Sequence, residues 1–136
     1  MSLGLYLHIP YCFSKCRYCD FYSAPGQRGV PRAYVDALLR ELSRFAPDAP
    51  LRPDTLYFGG GTPSLLDPAD AARLIAAAQP LPGAEITLEA NPETVTEDSL
   101  RAFREAGVNR ISFGVQSARD SQLKTLGRPH TAKQAR

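Results

Sequence analysis

The sequence lacks a surplus of charge: 16 Lys and Arg stand against 14 Asp and Glu, a net of +2. It has no basic run and no Lys/Arg stripe interleaved with aromatics, which excludes the usual footprint of a nucleic-acid binder. Long hydrophobic runs are missing too, and the longest fall far short of the ~20 residues a membrane span needs. The opening MSLGLYLHIP has no basic stretch followed by a long apolar one, so it does not read as a signal peptide. The expected compartment is the cytoplasm, with no integral membrane segment. Neither a GKS/GKT phosphate loop nor G-x-G-x-x-G occurs, so no nucleoside triphosphate site is expected. No linker or low-complexity segment interrupts the 136 residues, and 43% apolar content is enough for one domain with a core.

Cysteine is scarce but concentrated. All three cysteines, Cys12, Cys16 and Cys19, fall within YCFSKCRYCDF in a C-x3-C-x2-C spacing. In a reducing compartment, closely spaced cysteines read as metal-binding or catalytic. A structural zinc site takes four ligands, typically from paired C-x2-4-C units, and only one such unit is present. His8 or His130 could supply a fourth ligand. A redox C-x2-C pair would leave Cys12 without a use. A 4Fe–4S cluster normally takes four thiolates, and with three, one iron stays open to another ligand. The spacing favours the cluster, while zinc and free thiols remain alternatives at this point.

The apolar pattern alternates strand and helix. Strands are expected over Leu3–Ile9, Asp54–Gly60, Ala84–Ala90 and Asn109–Val115. Helices are expected over Pro31–Ala46 with Pro31 at the first position, after Asp67 as N-cap with Pro68, after Thr96 as N-cap up to Gly107, and from about Ser117 to Gly127. Repeated β-α units imply a parallel sheet. Within the strands one parity is apolar: Leu5, Leu7, Ile9, Leu56, Phe58, Ile86, Leu88, Ile111, Phe113 and Val115. The other is polar, aromatic or small: Tyr6, His8, Tyr57, Gly59, Thr87, Glu89, Ser112, Gly114 and Gln116. A doubly wound sheet buries both faces and should be apolar on both. A partial (β/α) barrel of about four parallel strands, with helices on one face and Glu89 and Gln116 pointing inward, accounts for the asymmetry better.

The unusual segments all follow strand ends: the cysteine loop, GGGTP, EANP and VQS. β/α barrels place their chemistry at that end. The glycines of GGGTP let backbone approach a ligand closely, and Thr62 adds a hydroxyl. Arg128 is suited to clamping a carboxylate. His130 reads as a surface residue unless it serves as a metal ligand or an acid.

Taken together, YLHIPYC, CDFYS, YFGGGTPSLL, LEANPET, ISFGVQS and LGRPHT resemble the radical S-adenosylmethionine superfamily. Within it they are similar to the oxygen-independent coproporphyrinogen III oxidases and their sister HemW-like heme chaperones. The resemblance implies that Cys12, Cys16 and Cys19 hold three irons of a 4Fe–4S cluster and that S-adenosylmethionine occupies the fourth. It places Tyr6, Tyr18, Gly60, Gly61, Thr62, Glu89, Gln116 and Arg128 around S-adenosylmethionine. The oxidases resemble C-x3-C-x2-C-x-C, and Phe21 stands at the fourth position here, which favours the chaperone type. Oxidative decarboxylation of coproporphyrinogen III, or a zinc- or heme-binding module without radical chemistry, are the alternatives. The implied partners are heme or a porphyrin, an electron donor and a heme acceptor protein. The family's barrel has about six β/α units followed by a C-terminal domain, so residues 1–136 are expected to be the N-terminal part of a radical SAM core domain.

Overall fold

The computed structural model describes residues 2–136. Strand and helix alternate: β1 (Gly4–Ile9), α1 (Arg32–Phe45), β2 (Thr55–Gly60), α2 (Pro68–Ala78), β3 (Glu85–Ala90), α3 (Glu97–Ala106), β4 (Arg110–Phe113) and α4 (Asp120–Leu126). Two 3-10 turns, Pro63–Leu65 and Pro92–Thr94, follow β2 and β3. Three residues are too few to show a period, so neither turn is legible in the apolar pattern.

The strands pair in parallel in their chain order, β1-β2-β3-β4. Register sets Tyr6 beside Tyr57, Ile9 beside Gly60, Phe58 beside Leu88 and Ala90 beside Phe113. A doubly wound sheet reverses its strand order at a switch point. This sheet never reverses, as winding in one direction around a barrel requires. Because every pair is parallel, all four C-terminal strand ends open toward the same side.

The apolar parity forms the core. Leu7, Ile9, Leu56, Phe58, Ile86 and Leu88 are buried against Val35 and Leu42 of α1, Ala71, Leu74, Ile75 and Ala78 of α2, and Phe103 of α3. Phe113 departs from this pattern. It is 44% exposed at the end of a four-residue strand, and it lines a cavity instead of joining the core.

Local chemistry explains the helix ends. Asp67 Oδ1 accepts from the Ala69 N–H at 2.8 Å, with Pro68 at the first helical position. Thr96 and Ser99 cap reciprocally: the Ser99 N–H donates to Thr96 Oγ1 at 3.2 Å, and the Thr96 N–H to Ser99 Oγ at 2.8 Å. Gly107 (φ 114°) and Gly127 (φ 75°) end α3 and α4 in the left-handed region, where glycine carries no Cβ penalty. Pro31 stands just outside α1, one position earlier than expected. α4 also starts later than Ser117, because the Ser117 hydroxyl oxygen accepts from the Arg119 N–H at 3.0 Å and forms a turn first.

The α3 cap gives a direct stability test. Thr96→Ala removes one side of the reciprocal pair and is expected to cost about 1 kcal/mol. Urea unfolding should show a lower midpoint with an unchanged slope.

Candidate functional site

The second parity of the sheet carries no helix among the described residues. At its C-terminal edge the four loops enclose an open cavity of about 260 Å³. This lies near the lower end of small-molecule sites, which span roughly 300–1,000 Å³.

Cys12, Cys16 and Cys19 all line this cavity as free thiols. Their loop is tied down by backbone. The Cys12 N–H donates to Ala24 O at 3.0 Å, the Gln27 N–H to Cys12 O at 2.9 Å, and the Arg17 N–H to Leu126 O at 3.2 Å. His8 holds the loop's exit: its Nε2 lies 3.2 Å from Tyr22 O and its Nδ1 3.0 Å from Tyr6 Oη. A carbonyl only accepts, so Nε2 carries the proton and Nδ1 accepts from the Tyr6 hydroxyl.

Tyr18, Gly60, Gly61, Thr62, Glu89, Gln116 and Arg128 line the same cavity. Tyr6 does not. It stands half-exposed next to the cavity, with its ring stacked on Tyr57 at 6.0 Å between centroids.

The GGGTP turn contributes room more than hydrogen-bond donors. The N–H groups of Gly60, Gly61 and Thr62 are already engaged by Glu89 Oε2 at 3.1 Å, Ile9 O at 2.8 Å and Tyr11 O at 2.7 Å. These three N–H groups are therefore not free for a ligand, although the glycines still allow its close approach. A Cβ on Gly61 would lie 2.7 Å from Tyr11 O and 2.8 Å from Cys12 Sγ.

Glu89 reaches the cavity from β3. Its Oε1 accepts from the Tyr57 hydroxyl at 2.7 Å and its Oε2 from the Gly60 N–H. The hydrogen bond to Glu89 and then burial raise the Tyr57 pKa, and burial followed by the charge of Glu89 raises that of Tyr6. Gln116 enters from beyond β4 with a left-handed backbone, φ 67°, unusual for a residue with a side chain.

Arg128 is the hub. Its side chain is 5% exposed. Nη1 donates to Cys16 Sγ at 3.1 Å, and Nη2 donates to Asn91 Oδ1 at 2.7 Å and Gly114 O at 2.6 Å. Nε is buried with no partner. Burial works to lower the Arg128 pKa, but the contact with Cys16 and the charges of Cys16, Glu93 and Tyr18 outweigh it, so the guanidinium stays above its usual range. Burial, then Cys16, raises the Tyr18 pKa.

His130 is corrected from surface residue to buried strut. Its side chain is 0% exposed, with Nδ1 3.1 Å from Glu93 Oε2 and Nε2 3.1 Å from Val115 O. Both ring nitrogens are occupied, as are those of His8, so neither histidine is placed to complete a four-ligand zinc site. Among the described residues, no three His, Cys, Asp or Glu side chains converge as they would around one metal ion.

Asn91, Glu93, Gly114 and Tyr57 were not singled out by side-chain type. Asn91 bridges two loops: it donates to Thr62 Oγ1 at 3.3 Å and accepts from Arg128. Gly114 has no room for a side chain, because its Cβ would meet Asn91 Oδ1 at 2.5 Å. The signals for these residues in the sequence were the strand parity of Tyr57 and Gly114 and, for Asn91 and Glu93, their place in EANPE after β3.

Comparison with known proteins agrees with this geometry. Residues 6–136 match the Radical SAM superfamily. The heme chaperone HemW of Escherichia coli (strain K12) is 47% identical over 140 residues, covering 98% of this chain and 37% of that protein. The mitochondrial radical S-adenosyl methionine domain-containing protein 1 of Bos taurus is 41% identical over 142 residues, covering 97% of this chain and 31% of that protein. Among solved structures, the coproporphyrinogen III oxidase HemN of Escherichia coli, a radical SAM enzyme, superposes with a TM-score of 0.87. It is 31% identical, and the match covers 98% of this chain and 32% of that one. The chain thus spans about a third of the length of the relatives it matches.

Proposed function

The chain belongs to the Radical SAM superfamily, and from that premise we propose that it holds a 4Fe–4S cluster through Cys12, Cys16 and Cys19, binds S-adenosylmethionine beside it, and serves as part of a heme chaperone of the HemW kind. Members of the superfamily use S-adenosylmethionine and a 4Fe–4S cluster generally. When bound, the cluster supplies the electron that cleaves the cofactor's sulfonium.

The residues present fit these groups. Three soft thiol donors face one cavity, as an iron–sulfur cluster with one open iron requires. Gly61 lies against Cys12 Sγ with no space for a side chain. Arg128 gives an N–H to Cys16 Sγ and keeps a second, buried N–H unpaired at Nε. A buried donor without a partner costs about 1–3 kcal/mol, so the guanidinium is held in place at a cost that its other contacts offset.

Each side chain then has a role. Arg128, on the cavity wall, binds the carboxylate of S-adenosylmethionine. Glu89, held by Tyr57 and Gly60, keeps lone pairs for a cationic or N–H group. Thr62 Oγ1 accepts from Asn91 and can still donate its own proton. Gln116 reaches the ribose hydroxyls. Gly60 and Gly61 admit the amino end, Tyr18 walls the site, and Tyr6 stands outside the cavity, stacked on Tyr57.

The single observation that carries this reading is that three cysteines, Glu89, Gln116 and Arg128 line one cavity, although they come from four separate loops and strand ends. The heme role is supported by the 47% identity to the heme chaperone HemW and by Phe21 on the cavity wall, where the oxidases carry a further cysteine.

Anaerobic reconstitution with iron and sulfide tests the core of the proposal. The expected result is a broad brown absorbance with about four irons per chain, followed by a spectral change when heme is added. Colourless protein after reconstitution would remove the cluster claim. Cluster without any heme perturbation would remove heme binding from this region, and the same titration on a protein of the relatives' full length would then decide the chaperone claim.

A further inference from the structure

We propose that Tyr57 is a positioning residue: from outside the cavity, it fixes Glu89 in the orientation that binding of S-adenosylmethionine uses, and it fixes Tyr6 beside itself. This rests on the assignment of Glu89 given above.

Two separate contacts carry it. The Tyr57 hydroxyl donates to Glu89 Oε1 at 2.7 Å, while the Gly60 N–H holds Oε2 at 3.1 Å. A carboxylate held at both oxygens from two directions cannot rotate about its terminal bond, and its remaining lone pairs are set. Hydrogen bonds to ionised groups are the stronger kind. The second contact is the ring. Tyr57 stands opposite Tyr6 in the β1–β2 register, and the two rings stack at 6.0 Å with an interplanar angle of 18°. Such cross-strand aromatic pairs fix each other's rotamers.

Gly59 completes the device. A Cβ there would lie 2.8 Å from Tyr57 Cε1 and 2.8 Å from Tyr6 Cε2. Both rings therefore lean over Gly59, and a side chain at that position would force them away. Tyr57 itself does not line the cavity. It acts through two neighbours and touches no reacting atom.

The test is a double-mutant cycle in the reconstituted chain with Tyr57→Phe, Glu89→Gln and the double variant. Phenylalanine keeps the ring and removes only the hydroxyl. S-Adenosylmethionine affinity, measured by calorimetry, is expected to fall about tenfold in Y57F, the worth of one hydrogen bond to a charged group. It should fall no further in the double variant than in E89Q alone. Additive losses would overturn the proposal, since they would mean Tyr57 acts independently of Glu89.

A readout without cofactor separates this from the functional assignment. In cluster-free protein the Gly60 amide should exchange its hydrogen several-fold faster in Y57F, because Glu89 is its acceptor. Unchanged Gly60 exchange would also overturn the proposal. Faster exchange with S-adenosylmethionine affinity indifferent to E89Q would uphold the positioning role and overturn the ligand assigned to Glu89.

Discussion

Replacing Cys16 by serine should abolish the cluster while leaving the fold in place. Cys16 is only partly buried and contributes nothing to the apolar core, which lies on the opposite face of the sheet. Its sulfur accepts from the Arg128 guanidinium and also neighbours Tyr18. A serine hydroxyl can keep that hydrogen bond, but it is a hard, weakly acidic donor where iron and sulfide need a thiolate. Two remaining thiols do not hold the cluster. Reconstituted Cys16→Ser is therefore expected to show almost none of the parent's visible absorbance and bound sulfide, with the same far-ultraviolet circular dichroism. Cys12→Ser and Cys19→Ser should behave alike. Full iron and sulfide content in any one of the three would refute the assignment. Bound zinc in the parent protein, lost in each variant, would point to a zinc centre instead.

Gly61→Ala should have nearly as large an effect on the cluster through a different route. The added methyl would meet Tyr11 O at 2.7 Å and Cys12 Sγ at 2.8 Å. Neither neighbour can retreat easily. The Gly61 N–H is bonded to Ile9 O at 2.8 Å, and the Thr62 N–H to Tyr11 O at 2.7 Å, so the two segments are sewn together on both sides of the clash. Overpacking of this kind costs about 1–3 kcal/mol. Whatever moves displaces Cys12 from the other two thiols, so cluster yield should drop at least several-fold. Gly29→Ala is the control. Its Cβ would meet only Leu65 O, at an ordinary 3.9 Å, and both stability and cluster yield should match the parent. Parent-like cluster yield in Gly61→Ala would mean that the turn tolerates a side chain against Cys12.

What could be read from the sequence was what repeats or acts locally. The strand parity predicted the buried face from Leu7 to Leu88, and the caps Asp67 and Thr96 were visible because capping needs only the next three residues. Glu89 fell inward as the parity required, and Gln116 also lines the cavity, though from beyond the end of β4 where parity no longer applies. The pattern failed where the strand ran out: Phe113 has the right parity, but β4 ends on it and no helix covers it there. It also failed where function depends on partners far along the chain. Arg128 was legible as a carboxylate clamp, but its partners Asn91 and Cys16 were not, because they lie 37 and 112 residues away. His130 looked solvated for the same reason, with Glu93 37 residues upstream. No window of sequence can show that a basic residue is already spoken for when its acceptor is folded in from another loop.

The contact between Cys16 and Arg128 also has a consequence in time. A ribosome makes Cys16 112 residues before it makes Arg128, and at about 5–20 residues per second that interval is roughly 6–20 seconds. Throughout it the cysteine loop lacks both the guanidinium on Cys16 and the carbonyl of Leu126 that holds Arg17. The loop's own bonds, from Cys12 to Ala24 and Gln27, can form early, but the contacts from the turn after α4 come last. On the proposed assignment, insertion of a cluster belongs after synthesis of this region, when the guanidinium of Arg128 is in place beside Cys16.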